Sequence, residues 1–203
     1  LAFTGSTLLI GLMQPQRPRP ISKPASAANP HRFLLPWLIL LVATSAASAG
    51  ARPFLAPYLE DRFSLGRAFI LASGSLLALG EFVLAWPLSH ESERNPRRAI
   101  FVALVLCALG AGIFLVPFGF VFGLFLMGVD RVVYSLVRSF IGAQVQAGRG
   151  RVFAQTQVLA TAAEALAPLA TGWLYHLSPE GPLALFRMVF TLFAILLLLQ
   201  PRR

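Results

Sequence analysis

Six long apolar stretches follow one another between residues 33 and 200, and short turns separate them. A helix needs roughly 20 residues, at about 1.5 Å rise per residue, to cross a hydrocarbon layer of about 30 Å, and the stretches are close to that length. The strands of a membrane barrel are about ten residues long and alternate in polarity, so they do not fit this pattern. The sequence therefore predicts an all-α membrane protein, a bundle of six transmembrane helices.

The helix-breaking residues in the turns, together with the apolar runs, set the bounds of the predicted helices. We expect helices at 33–59, 65–88, 99–116, 118–141, 152–175 and 183–200, so that residues 33–203 form the transmembrane domain. The chain is 57% hydrophobic and 12% charged, which excludes an ordinary water-soluble domain.

The segment before residue 33 has a different character. Residues 1–13 are apolar but too short to span a membrane, and residues 14–32 are polar and rich in proline. A signal peptide is one interpretation of 1–13, but no basic region precedes its apolar run and six spans follow it. We interpret 1–13 as the remnant of a preceding transmembrane helix and 14–32 as a cytoplasmic linker.

The formal net charge of +9 is distributed by position along the chain. Cytoplasmic loops retain Lys and Arg, so their positions predict orientation. Both the linker and the C-terminus are therefore expected in the cytoplasm, and the basicity is explained by topology without nucleic-acid binding. The preference for Arg over Lys is typical of a GC-rich bacterial genome, so the expected location is a bacterial inner membrane. Twelve of the 17 Lys and Arg lie in the linker, in alternate turns or at the C-terminus: Arg17, Arg19, Lys23, Arg32, Arg94, Arg97, Arg98, Arg138, Arg149, Arg151, Arg202 and Arg203.

Several chemistries have no candidate residues. Cys107 is the single cysteine, and His31, His90 and His176 are far apart in the sequence, which excludes the usual metal-ligand spacings. Neither a glycine-rich phosphate loop nor a Gly-x-Ser-x-Gly turn occurs. We therefore expect no metal, no cofactor and no enzymatic activity.

Polar side chains inside the predicted helices are the candidates for function, because a charge that faces lipid costs several kcal/mol. They form stripes at helical spacing on the first, fourth and fifth helices, whereas the third and sixth helices are almost wholly apolar and are expected at the lipid-facing periphery. The stripes contain Ser45, Ser48 and Arg52; Asp130, Arg131, Tyr134, Ser135 and Arg138; and Gln157, Thr161, Glu164, Thr171 and Tyr175.

A cavity formed by these stripes is expected to contain Arg131, Asp130, Glu164, Gln157, Thr161 and Arg52. Arg131 and Glu164 lie at similar depth and are expected to pair if their helices are neighbours. Asp130 with Arg131 as a purely structural ion pair is the alternative, and Arg138 is interpreted as an inner-surface anchor. A carboxylate removed from water favours its protonated form, so Glu164 and Glu81 are the predicted proton-exchanging groups.

Three segments carry a resemblance to a known family: Pro-Phe-Leu-Ala-Pro-Tyr-Leu at 53–59, Arg-Gly-Arg-Val-Phe at 149–153 and Ala-Leu-Ala-Pro-Leu-Ala-Thr-Gly-Trp-Leu-Tyr at 165–175. With these segments and this layout of helices, the chain resembles the C-terminal half of a major facilitator superfamily transporter. The loop at 87–98 keeps the family's basic end but lacks its Gly and Asp. The resemblance implies that the first, second, fourth and fifth helices face a central cavity, with alternating access by rocking of two six-helix halves.

The expected function is secondary active transport of a small solute by alternating access, coupled to protons. The expected partners are the lipid bilayer, the solute and the missing N-terminal six-helix half. The alternative is a non-transporting membrane scaffold or assembly subunit, in which the internal charges only hold helices together.

Overall fold

A computed structural model of the protein describes residues 30–116, 118–145 and 149–199. The predicted remnant at 1–13 and nearly all of the linker at 14–32 lie outside these ranges. From His31 onward the chain forms one compact unit. The described ranges contain no strand and consist of seven helices: α1 (Pro30–Phe63), α2 (Arg67–Arg94), α3 (Pro96–Phe114), α4 (Phe120–Met127), α5 (Asp130–Gln144), α6 (Arg149–Leu177) and α7 (Gly181–Leu199).

Five helical spans are long and apolar enough to cross a membrane, which confirms the all-α class and indicates an integral membrane protein. They are α1, α2, α3, the continuous stretch Phe120–Gln144 and α7. The remaining predicted span is α6, which has 29 residues. Its length is sufficient, but its stripe of Gln, Thr and Glu makes it less apolar than the other five.

The fourth predicted helix is divided into α4 and α5 at Gly128 and Val129. The N–H of Val129 donates to the carbonyl oxygen of Leu126 at 3.2 Å, a tighter turn than that of an α-helix. A methyl group at Gly128 would overlap the carbonyl oxygen of Leu77, so α2 crosses this point in direct backbone contact. The break makes Asp130 the first residue of α5.

The first helix is longer than predicted. It continues through Pro53 and Pro57 to Phe63, four residues beyond the expected end at residue 59. Proline removes one backbone donor, but membrane helices tolerate it because neighbouring groups satisfy the freed carbonyl. The Pro-Phe-Leu-Ala-Pro segment is therefore an internal part of α1.

The third helix is packed more deeply than the peripheral position that its apolar sequence predicts. It contacts α2, α4, α5 and α7. In its apolar span 44% of the residues are buried, against 11% in α2. Small side chains such as Ala103, Cys107 and Ala111, all fully buried, let several neighbours approach the helix at once.

The first and sixth helices run side by side and are joined near their C-terminal ends. Thr171 Oγ1 donates to the carbonyl oxygen of Gly50 at 3.0 Å, and Tyr175 Oη donates to Asp61 Oδ2 at 2.9 Å. The Tyr175 ring also stacks on Phe54, with ring centres 5.0 Å apart. Towards their N-terminal ends a groove of about 570 Å³ lies between the two helices. The two helices are therefore in contact near their C-terminal ends and separated by a groove near their N-terminal ends.

Candidate functional site

A polar cleft of about 450 Å³ lies among α1, α2, α5 and α6. No lining residue comes from α3, α4 or α7. Three arginines and three carboxylates are among the twelve residues that line it: Ser45, Ser48, Ala49, Arg52, Glu81, Asp130, Arg131, Tyr134, Ser135, Arg138, Gln157 and Glu164.

The fifth helix forms the largest wall of the cleft because it is strongly amphipathic. Its apolar side chains, among them Val133 and Val137, are buried in the bundle. Its polar residues recur every three or four positions and therefore share the opposite face. On that face Arg131 and Ser135 are exposed, and Ser135 Oγ donates to the carbonyl oxygen of Arg131 at 3.1 Å.

Arg52 and Asp130 form a bidentate ion pair between α1 and α5. Arg52 Nη2 lies 2.6 Å from Asp130 Oδ1 and 2.9 Å from Oδ2, and Arg52 Nε donates to Oδ2 at 3.1 Å. The Asp130 side chain is 4% exposed and that of Arg52 is 31% exposed. A carboxylate at a helix N-terminus also interacts favourably with the helix dipole. Both predicted cavity residues therefore lie in the cleft, where they neutralise each other.

The Arg52–Asp130 pair shows that the alternative interpretation, a structural ion pair of Asp130 with Arg131, is wrong. The side chain of Arg131 is not its partner; only the backbone N–H of Arg131 donates to Asp130 Oδ1, at 2.7 Å. Adjacent residues on a helix point in directions about 100° apart, so their side chains do not face each other. The partner of Asp130 is instead 78 positions away in the sequence.

The expected pair of Arg131 with Glu164 is also wrong. Both side chains line the cleft, but neither forms an ion pair in the part of the chain that the structure describes. Arg131 is exposed, and Glu164 and Glu81 are half-buried. The cleft therefore contains one free guanidinium group and two free carboxylates.

Gln157 connects α5 to α6 across the cleft. Its Oε1 accepts from Tyr134 Oη at 2.9 Å and from Arg138 Nη1 at 3.4 Å, and its Nε2 donates to Thr161 Oγ1 at 3.3 Å. The Arg138 guanidinium also lies over the Phe153 ring, 5.3 Å from its centre. Thr161 is not among the lining residues but borders them through this bond.

Arg138 was expected to be an inner-surface anchor, and its place in the cleft corrects that interpretation. The sequence contains the information that places Arg138 in the cleft. Arg138 follows Arg131 by seven residues, which is two turns of a helix, so both lie on the same face. Tyr134 was likewise assigned to a stripe but not to the cavity.

Among residues 30–116, 118–145 and 149–199, no group of three or more His, Cys, Asp or Glu side chains is arranged to hold a metal ion. Cys107 is fully buried in α3, which does not reach the cleft. Comparisons of the chain with protein-family models, with curated proteins and with solved structures give no match. The functional assignment therefore rests on the geometry and charges of the cleft.

Proposed function

We propose that this chain is part of a secondary active transporter that moves a small solute by alternating access with proton coupling. The observation that carries the proposal is the polar cleft, which collects three arginines and three carboxylates from four helices of an otherwise apolar bundle. Ionisable groups at membrane depth are costly and mark solute or ion pathways. A volume of about 450 Å³ lies in the range of small-molecule sites, roughly 300–1,000 Å³.

The cleft is open on one side of this bundle. Arg131, Ser135 and Gln157 line it and remain exposed. A second six-helix bundle facing them would enclose a solute, as the two halves of a major facilitator transporter do. We therefore propose that this chain is the C-terminal half of such a protein and that the N-terminal half is its partner. The basic turns and C-terminus support a cytoplasmic C-terminus, in a bacterial inner membrane.

The proposed roles of the charged residues follow from their partners. Arg52 and Asp130 are engaged with each other and hold α1 against α5. Arg131 is free to contact a solute. Arg138 lies two helical turns further along the same face and donates a hydrogen bond to Gln157. Glu164 and Glu81 are half-buried and have no ionic partner among the described residues, so they are the groups that would exchange protons.

The test uses the full-length protein in vesicles with an imposed proton gradient and a broad panel of small solutes. We expect uptake driven by the gradient, and we expect Glu164→Gln to abolish that dependence while the protein still inserts. Glu180→Gln is the matched control, because Glu180 is exposed in the turn before α7 and does not line the cleft. Uptake by Glu164→Gln that still follows the gradient would refute the role of Glu164. The absence of any gradient-driven uptake across the panel would refute the proposed function.

The Arg52–Asp130 pair favours the alternative, a membrane scaffold whose charges only hold helices together. A scaffold would give no uptake with any solute, so uptake by the unmodified protein separates the two functions. If the protein is a scaffold, Asp130→Asn should reduce cross-linking of α1 to α5, because it breaks the ion pair between these helices.

A further inference from the structure

We propose that the solute carried by the cleft is a small organic anion. This inference rests on the proposed function, because it names the solute class of the same cleft. It follows from which of the cleft's charges are already paired and from how the unpaired ones are arranged.

The Arg52–Asp130 pair contributes no free charge. Asp130 accepts three hydrogen bonds from the Arg52 guanidinium and a fourth from the backbone of Arg131. A carboxylate has about four acceptor sites, so those of Asp130 are filled. Asp130 therefore cannot act as the counter-ion of Arg131 or of a cationic solute.

Two guanidinium groups remain on the α5 wall. Arg131 has no ionic partner among the described residues, and Arg138 bonds only the neutral Gln157 and the ring of Phe153. They are seven residues apart on one helix face, about 10 Å along the axis. The hydroxyl of Ser135 lies between them. This spacing gives an anionic group two fixed cations on one wall, while the Ser135 hydroxyl already donates to the carbonyl oxygen of Arg131.

The opposing charges are Glu81 on α2 and Glu164 on α6. These two unpaired carboxylates lie on two different helices, whereas Arg131 and Arg138 share one face of α5. An arginine keeps its charge at every physiological pH. The α5 wall therefore presents two permanent positive charges that no carboxylate of the described residues neutralises, and an anionic group of a solute is expected to bind there.

The experiment compares probes of equal length and different charge. The melting temperature of the full-length protein in detergent is measured with the anion succinate, the neutral succinamide or the cation putrescine. Longer and shorter members of each series are tested in the same way. We expect at least one anion to raise the melting temperature. The affinity for that anion should fall about ten-fold or more in Arg131→Gln, because a hydrogen bond to a charged group is lost.

Arg187→Gln is the matched control, since Arg187 is an exposed arginine of α7 in a separate groove against α3. It should bind the anion like the unmodified protein. Binding of only amines or amides overturns the inference, as does no binding of any anion at about 10 mM, above usual substrate ranges. Anion binding without gradient-driven uptake would refute the transport proposal alone. Gradient-driven uptake of a cation would refute the anion inference alone.

Discussion

The ion pair between Arg52 and Asp130 permits a quantitative test, because its two members are buried to different extents. Arg52→Met would leave a carboxylate that is 4% exposed without its cation. Removing one partner of a buried pair typically costs about 3–5 kcal/mol. We therefore expect this variant to lose about that much of the free energy of unfolding.

Asp130→Asn should reduce the free energy of unfolding less than Arg52→Met does. The amide keeps the shape of the carboxylate and one acceptor oxygen, and the stranded Arg52 side chain is 31% exposed, so water in the cleft can hydrate it. We expect a loss of about 1–3 kcal/mol, the value of hydrogen bonds to charged groups. In the double variant no charge is left unpaired. Its loss should be smaller than the sum of the two single losses by about 1–3 kcal/mol.

The single cysteine provides the assay. Cys107 is fully buried in α3, and the chain has no other thiol. A dye that fluoresces on reaction with a thiol will therefore report unfolding of the full-length protein, once any cysteines outside this chain have been replaced. Melting curves of the two single variants and the double variant give the coupling between the two residues.

Arg98→Met is the control for loss of an arginine. Arg98 is 71% exposed and lies 3.5 Å from Glu91, a surface pair of the kind that contributes at most about 1 kcal/mol. If Arg52→Met is no more harmful than Arg98→Met, or if the two single losses simply add, the pair does not hold α1 against α5. The assignment of a structural role to Asp130 would then be wrong.

Two further predictions concern close contacts between helices. Gly80→Ala should destabilise the bundle by about 1–3 kcal/mol, because its methyl group would overlap the backbone carbonyl of Phe125. Gly74→Ala in the same helix has open space around it and should be neutral or stabilising by up to about 1 kcal/mol. Equal melting temperatures for the two variants would refute the close approach of α2 to α4. Thr171→Val keeps the side-chain shape but removes the hydroxyl that Gly50 and Ala167 share as a donor, and we expect a loss of about 0.5–1.5 kcal/mol, measured by the same dye. No loss would show that the bond to Gly50 does not join α1 to α6.

The helical class and the approximate helix positions could be predicted from the sequence because they depend on local properties. The third predicted helix, 99–116, overlaps α3 over most of its length, since the apolar run and the turn at Asn95 and Pro96 set its bounds. The break at Gly128 could not be predicted in this way. It coincides with the crossing of α2, a contact between segments about 50 residues apart in the sequence.

Most of the residues that line the cleft could be predicted from the sequence, but the partners of its charged residues could not. Helical spacing places Arg131, Gln157 and Glu164 on polar faces, and those faces meet in the structure. The partner of Asp130 depends on how α1 is rotated against α5, which spacing within one helix does not specify.

The 78-residue separation of Arg52 and Asp130 has a consequence for biogenesis. Ribosomes add roughly 5–20 residues per second, so Arg52 is synthesised about 4–16 seconds before Asp130. During that interval its guanidinium must reach the lipid headgroups by extending its flexible stem. Once α5 is complete, Asp130 attracts the Arg52 guanidinium into the bundle. The later helix, α5, therefore fixes the final position of the earlier helix, α1.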